Sequence, residues 1–153
     1  MITLDAPDRL LLEALSRDAR MSLKALAAHA GLSSPSASER IRKLEERGVI
    51  KGYVAEIDPA ALGYALEAVV RIRPLPGKLH VVQKLIEETP AISSCDKVTG
   101  DDCFVARLHA RTMSDLDRVL DRIADKASTN TSLVKSRTVE RRTPPLDGGG
   151  KEE

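Results

Sequence analysis

Ser33, Ser34, Ser36 and Ser38, with Pro35 among them, put small hydroxyl-bearing side chains at the start of a segment that runs on through Glu39, Arg40, Arg42, Lys43 and Arg47 to Lys51. Hydroxyls this close to a backbone can meet base edges, and a carboxylate such as Glu39 can accept from a cytosine amino group. Arg40, Arg42, Lys43, Arg47 and Lys51 suit phosphates, which set register and supply sequence-independent affinity. A solvated amphipathic helix would carry the same charges, and Glu45 and Glu46 fit that view. A second polar group, Thr99-Gly100-Asp101-Asp102-Cys103, reads first as a hairpin turn.

No other chemistry is assembled. Neither half offers a nucleophile–base pair, a paired-carboxylate site or a phosphate-cradling glycine loop, so no catalytic residue and no cofactor is expected. His29, His80 and His109 are scattered, and no metal site is expected. A hairpin about Gly100-Asp101 sets Val98 or Thr99, not Cys95, opposite Cys103, so both cysteines read as small apolar packing residues.

These residues need elements to position them. Asp5 can cap a first helix with Pro7 and Asp8 in its opening turn and Leu11, Leu12 and Leu15 on its apolar face. Ser22 can cap a second helix bearing Leu23, Leu26, Ala27 and Ala30, which Gly31 stops. Ser33 or Ser34 can cap a third, with Ala37, Ile41 and Leu44 inward and an end at Gly48. Val49–Ile57 reads as a small hairpin, or wing, around Lys51-Gly52. Ala60–Tyr64 reads as a hinge with Gly63 its flexible point.

From Leu66 the rhythm changes. Leu66, Ala68, Val70 and Ile72 alternate as a strand, and Leu79, Val82, Leu85 and Ile86 mark a helix. Ile92–Val98 and a strand with Phe104, Ala106, Leu108 and Ala110 on its core face follow. A helix with Leu116, Val119, Leu120 and Ile123, capped by Ser114, precedes a last strand over Thr131–Val139. The class is therefore α+β, a helix-turn-helix followed by a ferredoxin-like βαββαβ domain. The expected division is 1–60 for DNA reading, 61–65 as hinge, 66–142 as the second domain and 143–153 as a disordered tail.

The chain has 153 residues, and its net charge of +1 leaves any nucleic-acid argument to the placement of charges. No stretch is long and apolar enough to span a bilayer, and the N-terminus lacks a signal-peptide pattern, so a cytoplasmic protein is expected.

Leu4-Asp5-x-x-Asp8-Arg9-x-Leu11-Leu12, Asp18-Ala19-Arg20, Leu26-Ala27 and Gly31-Leu32-Ser33 form one series of motifs in the first half. Arg40-Ile41-x-x-Leu44-Glu45, Gly48-Val49-Ile50, Leu62-Gly63 and Val98-Thr99-Gly100-Asp101-Asp102 continue it. In these motifs the chain resembles the Lrp/AsnC transcription factors. It departs at Ala19, where glycine is common, and at Ala25, where an acidic residue is frequent. The resemblance implies a winged helix-turn-helix that binds double-stranded operator DNA, joined to a regulatory domain.

It further implies dimers formed through the sheets, assembling into tetramers or octamers, in a bacterial or archaeal nucleoid-associated regulator. Thr99, Gly100, Asp101, Asp102 and Cys103 would then line a site for an amino-acid effector. An aspartate there would take the ammonium and turn N–H groups the carboxylate. Cys103 stands where aspartate is frequent. Two readings stand beside this one: an architectural DNA-compacting protein, and a metabolite-binding module without a DNA role.

Overall fold

The structure, a computed structural model, describes residues 2–140 and 142–146. They fall into two units, one within Met1–Glu56 and Val139–Glu153, the other Ile57–Thr138.

The first unit is built on three helices, α1 (Ala6–Arg17), α2 (Leu23–His29) and α3 (Ser34–Glu46). Each start follows from one short polar side chain in extended backbone. Asp5 accepts from the Asp8 amide, Ser22 from that of Ala25, and Ser33, rather than Ser34, from that of Ser36. These contacts satisfy amides that the first turn leaves without a carbonyl. Leu11, Ala14, Leu26, Ala27, Ala30 and Ala37 form the core, with Leu10, Leu15, Met21, Leu32 and Ile41 packed against it. Small alanines let the helices approach closely. Leu23, at the first position of α2, is exposed. Gly31 makes the turn between α2 and α3 at φ +66°, a conformation that a side chain disfavours.

The expected wing hairpin is not formed: no strand pairing occurs in residues 49–57. The amides of Val49 and Ile50 instead turn back to the Leu44 carbonyl, at 2.9 and 3.1 Å. Tyr53, Val54 and Ile57 are exposed, so two such short segments would lack the apolar cover that makes a hairpin stable.

The second unit is an antiparallel four-stranded sheet, order β2-β3-β1-β4, with two helices on one face. Its elements are β1 (Leu66–Pro74), α4 (Leu79–Glu87), β2 (Ile92–Lys97), β3 (Phe104–Ala110), α5 (Met113–Ala124) and β4 (Ala127–Leu133). This is the expected βαββαβ arrangement. Ala68, Val70 and Ile72 of β1 and Phe104, Ala106, Leu108 and Ala110 of β3 face Val82, Ile86, Leu116 and Ile123 of the helices.

Three expectations change here. The helix cap is Thr112, not Ser114. Thr112 Oγ1 accepts from the Asp115 amide while the Asp115 carboxylate receives the Thr112 amide, a reciprocal pair. The last strand is Ala127–Leu133, starting four and ending six residues before the expected Thr131–Val139. Ala127 stands opposite Pro74 and Leu133 opposite Ala68, and Ala127 fills the core. The expected hinge holds a 3₁₀ turn, Ala60–Leu62, closed by Gly63 at φ +86°. Tyr64 stacks under the Arg111 guanidinium, 4.9 Å from ring centroid to Cζ. Of the tail expected from residue 143, residues 147–153 lie outside the described residues.

Candidate nucleic-acid interface and regulatory cleft

In the first unit, Ala37 and Leu44 are buried at 0% and 1% exposure, which turns the opposite side of α3 outward. Pro35, Ser36, Ser38, Glu39, Arg42 and Lys43 are all exposed, as are Arg47 and Lys51. A helix held on one side by α1 and α2 and bare on the other has the form a major groove admits. Ser33 Oγ accepts from the Ser36 amide at 3.3 Å and meets the Ser36 hydroxyl at 2.9 Å, so capping already engages it; Ser34 is half-buried.

The charges on this face are less available than their sequence positions suggested. Arg40 Nη1 donates to Asp5 Oδ2 at 2.7 Å and to Asp8 Oδ1 at 2.8 Å, tying α3 to the start of α1. The Asp8 amide and the Arg40 guanidinium hold the Asp5 carboxyl below its ordinary 3.8. Arg40 is thereby a clamp inside the unit, not a free phosphate contact. Arg42 is bridged to both Glu39 and Glu46, with Nη2 2.6 Å from Glu39 Oε1. Its hydrogen bond lowers the Glu39 carboxyl, and Lys43 Nζ lies 3.5 Å from the same oxygen. Glu39 is therefore engaged on its own helix by Arg42 and Lys43. Tyr53 donates to Glu45 at 2.8 Å, and partial loss of solvent around its hydroxyl together with that bond pushes its phenol up to about 12.

In the second unit, Thr99–Cys103 lies in the loop joining β2 to β3. The Val98 amide donates to the Cys103 carbonyl at 2.9 Å, closing the loop, while Cys95 pairs with Ala106 three residues further along the ladder. Both cysteines are free thiols, and burial raises that of Cys95. Arg73 Nη2 lies 3.6 Å from Asp101 Oδ2 and 3.6 Å from Asp102 Oδ1. Beside them opens a cleft of about 310 Å³ lined by Arg71, Arg73, Asp102, Ser128, Thr129 and Asn130. Of the expected loop residues, only Asp102 lines it.

Residues 4–51 match the family model for a winged helix-turn-helix DNA-binding domain, and residues 67–144 match that for the Lrp/AsnC ligand binding domain. The chain belongs to the Lrp/AsnC family. It is 37% identical over 129 residues to the transcriptional regulator LrpA of Mycobacterium tuberculosis, covering 84% of this chain and 86% of that one. Its fold is similar to that of LrpC of Bacillus subtilis, with TM-score 0.85, 27% identity and coverage of 92% and 100%. It is also similar to a feast or famine regulatory protein of M. tuberculosis solved with L-methionine, with TM-score 0.84, 33% identity and coverage of 93% and 99%.

This Lrp/AsnC protein is accordingly a transcription regulator, not an enzyme. Among its described residues no helix is long and apolar enough to cross a membrane. Sequence reasoning missed the Arg40 clamp and the part of the cleft that β1 and β4 supply. Arg71 and Arg73 did carry a signal, since residues two apart on a strand share a face. Ser128 and Asn130 carried none, because their place beside those arginines depends on the register of β4.

Proposed function

We propose that this Lrp/AsnC protein binds specific double-stranded DNA sites as a homo-oligomer, and that an amino acid or related metabolite alters that binding or the assembly. The first unit reads DNA through α3, with Ser36, Ser38 and Pro35 nearest the bases and Lys43, Arg47 and Lys51 on phosphates. One observation carries this reading: the side of α3 opposite Ala37 and Leu44 is exposed along its length. The second unit takes the effector beside the 99–103 loop and holds copies together through the outer sheet face. Val69 and Val105 on that face are only partly covered within the chain. A two-fold dimer would set two α3 helices at half-sites ~34 Å apart or a multiple of that. The L-methionine complex of the M. tuberculosis relative supports the effector part, and the family supports a cytoplasmic, nucleoid-associated setting.

Footprinting on the DNA upstream of its own gene, with and without a panel of amino acids, tests the reading when paired with a mass measurement of the assembly. A bounded protected site that changes with one amino acid is expected. Uniform coating would favour an architectural role. Failure of Lys43→Ala to weaken binding would move the interface off α3.

A further inference from the structure

We infer that Arg42 reads a guanine in the major groove, and that Glu39 and Glu46 are the positioning residues that aim it. The inference rests on reading α3 as the DNA-reading helix and deepens it, naming one base that each copy selects.

The place of Arg42 on the helix is the first support. At about 100° of turn per residue, Arg42 stands about 140° round α3 from Ala37 and about 160° from Leu44, the two buried residues of the helix. Its side chain is 52% exposed. Arg40, the other arginine of α3, is turned back to Asp5 and Asp8 at the start of α1. Arg42 is thus the arginine that α3 presents outward.

The donors left over are the second. Nε donates to Glu39 Oε2 at 2.9 Å, Nη2 to Glu39 Oε1 at 2.6 Å, and Nη1 to Glu46 Oε1. A guanidinium carries one N–H on Nε and two on each terminal nitrogen. One donor therefore remains on Nη1 and one on Nη2. Such a pair matches guanine O6 and N7, which an arginine meets bidentately. Glu39 lies one turn before Arg42 and Glu46 one turn after, so the planar group is gripped from both sides along the helix. Its direction is set before DNA arrives, which lowers the ordering cost of the contact.

Charge is the third. Lys43 Nζ, 3.5 Å from Glu39 Oε1, completes a cluster in which two cations and two anions cancel. A neutral cluster has little pull on a phosphate, and the two carboxylates beside the guanidinium repel one. Guanine O6 and N7 are acceptors without formal charge, so the remaining donors favour a base edge over the backbone.

Selection from a random duplex library with the full chain, followed by affinity measurements on the enriched duplex, tests this. The parent should enrich a site with a guanine at one position of each half-site. Arg42→Ala should lose the preference at that position alone. Arg42→Gln should turn it to adenine, whose N6 and N7 suit an amide. Placing 7-deazaguanine there removes the N7 acceptor, which should weaken the parent about tenfold and leave Arg42→Ala unmoved. Glu39→Gln should reduce the discrimination between guanine and adenine while tightening binding to unrelated DNA, because one negative charge is gone. A merely structural carboxylate would not separate the two effects. An even loss of affinity for all sequences in Arg42→Ala, with a smaller salt slope, would make Arg42 a phosphate contact and overturn the inference. Base preferences unchanged in both Arg42 variants would also overturn it, while leaving sequence-specific DNA binding standing. Enrichment of no site by the parent would overturn both this inference and the reading beneath it.

Discussion

Arg40 Nη1 lies 2.8 Å from Asp8 Oδ1, and the same nitrogen reaches Asp5 Oδ2 at 2.7 Å. One guanidinium thus joins the recognition helix to the cap and first turn of α1. The side chain of Asp8 is only 12% exposed and that of Arg40 33%, so the pair is partly shielded from solvent. Shielding of this degree makes the contact worth more than a surface ion pair, though salt and water still screen the Asp5 arm. The clamp fixes the tilt of α3 against α1, which is what a reading helix requires of its support.

Arg40→Gln should lower the stability of the first unit by about 1 kcal/mol, a drop of ~4–8 °C in its melting temperature. It should weaken DNA binding without changing the slope of log affinity against log salt. Lys43→Gln should do the reverse, leaving melting unchanged and reducing the slope by about one per contacting subunit. Titrations of both variants at several salt concentrations check this. A reduced slope for Arg40→Gln would return that residue to the phosphate contacts.

Thr112→Ala removes the hydroxyl that caps α5 and should cost about 1 kcal/mol. Ser114→Ala, at the position the sequence favoured as the cap, should be near neutral, since the Ser114 side chain makes no capping bond. Chemical denaturation of the two variants side by side separates the assignments.

Glu67 supplies a pH dependence. Burial pushes its carboxyl up, but the Arg107 hydrogen bond and the charges of Arg137 and Arg107 outweigh this and hold it below 4.5. A carboxyl depressed in the folded state stabilises fully above its unfolded value, and the contribution is lost as pH falls through the folded value. The window therefore opens below 4.5. Glu67→Gln should lose less stability than the parent between about pH 6 and about pH 3, as read from urea midpoints. Parallel curves would show that the arginines do not favour the ionised carboxylate.

Gly63→Ala should destabilise the second unit by about 1–2 kcal/mol. Its φ of +86° disfavours a side chain, and an added Cβ would stand 3.1 Å from Arg111 Nη1, disturbing the stack on Tyr64. Thermal melting measures the loss. Were this turn a flexible hinge, alanine would be tolerated with little change.

The caps at Asp5 and Ser22, the stop at Gly31 and the alternation of β1 and β3 were legible because each depends on residues within a few positions. The same local reasoning misjudged Ser114, where two hydroxyls two residues apart compete and only Thr112 has extended backbone to cap from. It also misjudged residues 49–57, whose extended character was readable but whose lack of a pairing partner was not.

The spacing of Ala37, Ile41 and Leu44 already implies that α3 has one buried face and one open face, and the change of rhythm at Leu66 implies a second unit. Tertiary structure decided which charges on the open face remain free, because Arg40 is neutralised by Asp8, 32 residues away. It also decided that Arg71 and Arg73 share a cleft with Ser128 and Asn130. Strand register brings those residues together, and register depends on how both faces of the sheet pack.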